Sequence, residues 1–140
     1  MANIDFKSFE KQIEAAGKQA AKDRETANIL RDEHAAALGR LEALRDELAA
    51  VDGVISEYDN ADETDITPEQ FEAALMQQRV LGPQLRRAEA EQKRASVAWQ
   101  QADKQVSQHA QARKRGILAD FDQAAATVRG EYAARLQKQL

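Results

Sequence analysis

One feature decides what this chain can fold into: an apolar stripe that repeats every three and four residues without a break. From Phe6 it runs through Phe9, Ile13, Ala16, Ala20, Asp23, Ala27, Leu30, His34, Ala37, Leu41, Leu44, Leu48, Val51, Ile55 and Tyr58, with only Asp23 and His34 polar. A stripe of period 3.5 supercoils left-handed to keep facing its partner. The helix it predicts is about 55 residues and roughly 80 Å long at about 1.5 Å per residue. No globular core is that long, so the partner is expected to be another long helix.

That partner follows in the sequence. Asp59-Asn60-Ala61-Asp62-Glu63-Thr64-Asp65 is acidic and rich in turn formers, and reads as a connector. Ile66-Thr67-Pro68-Glu69-Gln70-Phe71 then carries the signals of a helix start. Thr67 suits the N-cap, Pro68 the first helical position, and Gln70 completes a capping box with Thr67. Ile66 and Phe71 stand at the spacing of a hydrophobic staple. Glu69 complements the positive end of the helix dipole.

The second arm repeats the heptads as Phe71, Ala74, Gln78, Leu81, Leu85, Ala88, Gln92, Ala95, Trp99, Ala102, Val106 and His109. Gly82-Pro83 predicts a kink or short break, because proline removes a backbone donor and clashes with the preceding turn. Between Arg113 and Gly116 the register slips, resuming as Leu118, Phe121, Ala125, Val128 and Tyr132. Gly116 is a second expected weak point.

These readings predict an all-α fold, a long antiparallel helical hairpin or coiled coil with a C-terminal amphipathic extension. Arm one spans about residues 4–59, the connector 60–66, arm two about 67–115 with a kink at 82–83, and the extension 116–140. A short connector favours antiparallel neighbours, with facing residue numbers adding to about 126. Leu41 then meets Leu85, His34 meets Gln92, Ala27 meets Trp99, and Phe6 lies near Phe121. Charge agrees with this pairing: residues 1–70 hold 8 basic and 17 acidic groups, residues 71–140 hold 12 and 7.

Composition narrows the function. Alanine fills 28 positions against 11 for leucine, and the aromatic share is 5%. Alanine favours helix but buries little area, so the seam is thin and self-association or docking on a larger partner is expected. There is no cysteine, which excludes disulfides and thiolate metal sites and fits a reducing compartment. No apolar run spans a membrane, and Met1–Glu10 lacks the apolar core of a secretory leader. The expected location is the cytoplasm or a virion.

Catalysis needs convergent polar groups in a water-excluding pocket, which a two-helix hairpin does not offer. No catalytic residue, metal ligand or cofactor is assigned. His34 reads as a polar residue fixing register, and His109 as a flank or seam residue. The connector has the acidity of a calcium loop, but Thr64 stands where glycine is needed and Gln70 where the bidentate glutamate belongs. Arg86-Arg87, Lys93-Arg94 and Arg113-Lys114-Arg115 are basic clusters on an acidic chain of pI about 5.3. Without interleaved aromatics they read as a solvated face rather than a nucleic-acid site. Trp99 reads as a seam residue over alanines. The final twenty residues lie beyond the reach of the first arm, and the stripe Leu118, Phe121, Val128, Tyr132 and Leu136, with Ala125, is the expected partner-binding face; the alternative is a tail that folds back at Gly116 and covers its own hairpin. Asp122, Arg129, Glu131, Arg135 and Lys138 are expected on its opposite face.

In size, acidity, alanine-rich heptads and basic amphipathic C-terminus the chain resembles small phage-encoded coiled-coil proteins, including scaffolding and tail or head accessory proteins. Its stretch from Glu57 to Leu85, followed by Val97–Val106, is similar in layout to hairpin proteins of flagellar and type III export gates. Both resemblances imply a non-catalytic structural, assembly or adaptor role, with a protein or a second copy as partner. An acidic inhibitor of a host nucleic-acid enzyme is a third class that the acidic first arm would suit.

Overall fold

A computed structural model describes residues 4–139 and contains two helices, α1 (Phe6–Asn60) and α2 (Pro68–Gln139). They run antiparallel and pack on each other as a helical hairpin. Each begins with a cap. The Ser8 amide donates to Asp5 Oδ1 at 3.2 Å, which satisfies one of the donors left open at a helix start. At the start of α2 the expected capping box forms. The Gln70 amide donates to Thr67 Oγ1 at 3.2 Å, and the Thr67 amide donates to Gln70 Oε1 at 3.0 Å. At the end of α1, Asn60 Nδ2 donates to the Ser56 carbonyl at 2.9 Å. No described residue has a positive φ, so α1 stops without a left-handed cap.

Within these helices the chain divides into two compact units, Ile29–Gln100 and Met1–Asn28 with Gln101–Leu140. We call them the loop unit and the terminal unit. The loop unit holds the better core. Val51, Ala74 and Leu81 are buried, and Leu44, Leu48, Val54 and Ile55 pack against them. Tyr58 stacks on Phe71 with ring centroids 4.3 Å apart, closing the unit beside the connector. His34 and Gln92 meet as the heptads predict, with their side-chain nitrogens 3.1 Å apart. The amide donates and the imidazole accepts. Trp99 stacks on His34 at 5.4 Å.

The short break expected at Gly82-Pro83 does not occur: α2 is helical through both residues. The proline ring lies on the exposed side, and Arg79, whose carbonyl loses its helical donor, is also exposed. Water can satisfy that carbonyl while Leu81, 3% exposed, and half-buried Leu85 hold the seam on either side. Gly116 is likewise inside unbroken helix, so the C-terminal extension continues α2 rather than forming a separate segment.

Three flank ion pairs run against the expected polarity. Arg24–Asp103 at 3.2 Å, Arg40–Glu91 at 3.6 Å and Arg45–Glu89 at 3.8 Å each join a base on α1 to an acid on α2. The acidic excess of the first arm is spread over residues that solvent reaches, and these half-exposed pairs contribute little.

Candidate interaction surface

The terminal unit is where the seam changes register. Partly or fully buried positions on α2 pass from Val106 to Arg113, Ile117, Phe121, Ala124 with Ala125, and Val128. Two successive steps of four, from Arg113 to Ile117 to Phe121, replace the alternation of three and four. That is a stutter, which locally unwinds a coiled coil. It moves the seam to Ile117, a residue the heptad reading passed over in favour of Leu118.

Two polar side chains occupy the seam above the stutter. Arg113 Nη1 donates to Asp23 Oδ2 at 3.2 Å, and both side chains are largely buried. Arg113 therefore does not belong to a solvated basic face. Its Nη2 is enclosed without an acceptor among the described residues. Asp23 also accepts from Gln19 Nε2 at 3.1 Å, and His109 Nδ1 stands 3.9 Å away. The Gln19 hydrogen bond, opposed by partial desolvation, combines with Arg113 and His109 to hold the Asp23 carboxyl below the ordinary carboxylate range.

Below the stutter the ring of Phe121 packs between Phe6 and Phe9, with centroids 6.5 and 5.3 Å away. This pairing near Phe6 follows the heptad alignment. Phe121 is half-buried there. Val128 lies on the same side of α2 and is also half-buried. Leu118, Tyr132 and Leu136 remain open, at 50%, 62% and 46% exposure.

At about 100° per residue, Leu118, Asp122, Ala125, Arg129, Tyr132 and Leu136 lie within roughly 40° of one line along α2. Phe121 and Val128 lie roughly 60° and 80° to one side of that line, next to Tyr132. The expected stripe thus runs from a seam edge at Phe121 and Val128 to an open edge at Leu118 and Leu136. Asp122 and Arg129 stand on the open apolar face, not opposite it. Neither has an ion-pair partner among the described residues, and both are exposed.

The open face is continuous with two apolar grooves of the terminal unit. One, of about 340 Å³, is lined by Phe6, Phe9, Glu10, Ile13, Ile117, Leu118 and Phe121. The other, of about 310 Å³, shares Ile13, Ile117 and Leu118 and extends to Ala20 and Ala110. Phe6 and Ile13 are 62% and 60% exposed at their rims. The heptad pattern put both in the seam. Alanines at 16 and 20 are too small to close the space around Ile13, so the groove stays open.

Elsewhere the loop unit carries a larger groove, of about 580 Å³, whose apolar lining of Val51, Val54, Ile66 and Ala74 is interrupted by Glu47, Glu57, Gln70 and Gln77. Among the described residues no three His, Asp or Glu side chains gather to hold a metal ion, and no helix is long and apolar enough to cross a membrane. The cavity beside Asp23, Val106 and His109 measures only about 110 Å³. Comparison with family models, curated proteins and solved structures gives no match for this chain.

Proposed function

We propose that the protein is a non-catalytic structural, assembly or adaptor component that works by packing its helices against another helical surface. The supporting observation is its shortfall of buried surface. The chain exposes 10598 Å², so it buries only about half of what an unfolded chain of its mass would expose, against roughly 68–70% for an ordinary domain of 150 residues. Eight hydrophobic residues are buried among those described, four of them alanine, and no large side chain is wholly enclosed. Association would supply the missing burial, and the open face of the terminal unit is the place for it. The resemblance to phage virion and scaffolding accessory proteins fits this class.

Concentration tests the proposal. A chain stabilised by association melts higher as protein concentration rises, or as its partner is added. A melting temperature constant over a ~100-fold dilution, in a chain that remains monomeric and binds no component of its source cell saturably, would sink the reading.

Charge favours a second reading, a ligand for a basic protein surface. Residues 29–100 hold 15 acidic and 8 basic groups. Binding of that kind weakens steeply with salt, whereas apolar helix packing does not.

A further inference from the structure

We infer that the occupant of the open face is a second copy of this chain, bound antiparallel through residues 115–139 of α2 about a two-fold axis level with Thr127. This rests on the associative role proposed above and names the partner.

The pattern along the face is self-complementary. With Leu118 set against Leu136 of a second copy in the antiparallel sense, Tyr132 falls against Asp122, and Arg129 against Ala125 with Asp122 one turn away. Because the axis is two-fold, each of these meetings occurs twice. Leucine meets leucine. The guanidinium of Arg129, on the same edge of the face, donates toward the Asp122 carboxylate, which has no ion-pair partner in its own chain among the described residues. The small Ala125 leaves room for the Arg129 stem. A parallel pairing would set Asp122 against Asp122 and Arg129 against Arg129, which charge forbids at little distance. An unrelated apolar helix would have to supply the same acid and base at the same spacing.

The hairpin also gives the second copy somewhere to sit. Phe6 and Phe9 pack against Phe121, and α2 continues to Gln139. All nine residues from Glu131 to Gln139 are exposed. In the antiparallel arrangement this run lies over the groove formed by Phe6, Ile13 and Leu118 of the other copy, and Leu136 enters it. Each copy thereby covers the open groove of the other.

The test uses the full chain with Asp122→Arg and Arg129→Asp. Both positions are exposed, and circular dichroism establishes that the variants fold. Sedimentation equilibrium should show a wild-type dimer. Each single variant should dimerise about tenfold more weakly, since it replaces two attractive meetings with two repulsive ones. Mixing the two single variants should restore wild-type affinity in a heterodimer, and so should the double variant Asp122→Arg with Arg129→Asp. A wild-type monomer overturns the inference, whether or not it sediments with anionic lipid vesicles. So does a dimer that neither substitution weakens, or a mixture no tighter than its components. An assembly indifferent to both charges leaves the associative role standing and removes only this interface. A monomer whose melting ignores concentration and which has no other partner removes both.

Discussion

Replacing Pro83 by alanine should make this protein more stable, although Leu81, two residues away, belongs to its best-packed cluster. Proline in a helix interior is about 3 kcal/mol worse than alanine, through the lost donor and the ring's clash with the carbonyl four residues back. Here that carbonyl belongs to Arg79. The helix runs on through residue 83, and both residues are exposed, so alanine supplies the donor without disturbing the seam. Solvation of the Arg79 carbonyl already relieves part of the penalty, which leaves a gain of about 2 kcal/mol. At roughly 2–4 °C per kcal/mol for a chain near this size, the melting temperature should rise by roughly 4–8 °C. Gly82→Ala should add about 1 kcal/mol, since its new methyl would meet only the Arg86 guanidinium, at 3.9 Å. Thermal melts followed by circular dichroism at 222 nm, at one fixed concentration, provide the assay. An unchanged or lower melting temperature for Pro83→Ala would refute the reasoning, because it would mean that the loop unit needs a departure from regular helix at that point.

Thr67→Ala should cost about 1 kcal/mol through the lost N-cap of α2, read as a lower melting temperature. Leu81→Ala should cost about 2–3 kcal/mol, at the low end for a buried leucine because two helices can close partly on the space; a loss below about 1 kcal/mol in denaturant titrations would contradict its place in the core. For Asp23 the sign follows from its lowered carboxyl pKa: its charged form stabilises the fold at pH values above the ordinary 3.8, and the benefit disappears as pH falls from there through the folded-state value. Wild type should therefore melt above Asp23→Asn at neutral pH, and the gap should close below about pH 4; a gap that is constant with pH would show that the Asp23 charge is not what matters. Ile117→Ala should lower the melting temperature more than Leu118→Ala, because Ile117 is the one in the seam.

The hairpin was legible because its signals are local and redundant. Three and four residue steps repeated over 55 residues admit no strand, and the Thr67–Gln70 box marks one residue as a boundary from side-chain chemistry alone. The meeting of His34 and Gln92 was legible too, since a two-helix fold gives each polar interruption one level at which to be answered. At Gly82-Pro83 the expectation is a kink or a short break, and the break does not occur. The proline penalty is a property of the helix, but whether the helix breaks depends on what the neighbouring residues bury, and Leu81 and Leu85 bury enough.

The C-terminal face shows where one-dimensional reading stops. Ile117 and Leu118 are adjacent and both apolar, so a sequence pattern cannot say which of them faces α1. Three-dimensional contacts choose. Arg113 must reach Asp23 above, and Phe121 must seat between Phe6 and Phe9 below. Only Ile117 lies between those two fixed points on the same side of the helix. Once it is in the seam, Leu118 turns outward and aligns with Tyr132 and Leu136, and Asp122 and Arg129 turn with them. The same two contacts that hold the terminal unit together thus create its unsatisfied face. Its charges, expected from the sequence on a solvated opposite side, are the two groups that would distinguish a second copy from any other apolar helix in the dimer we propose.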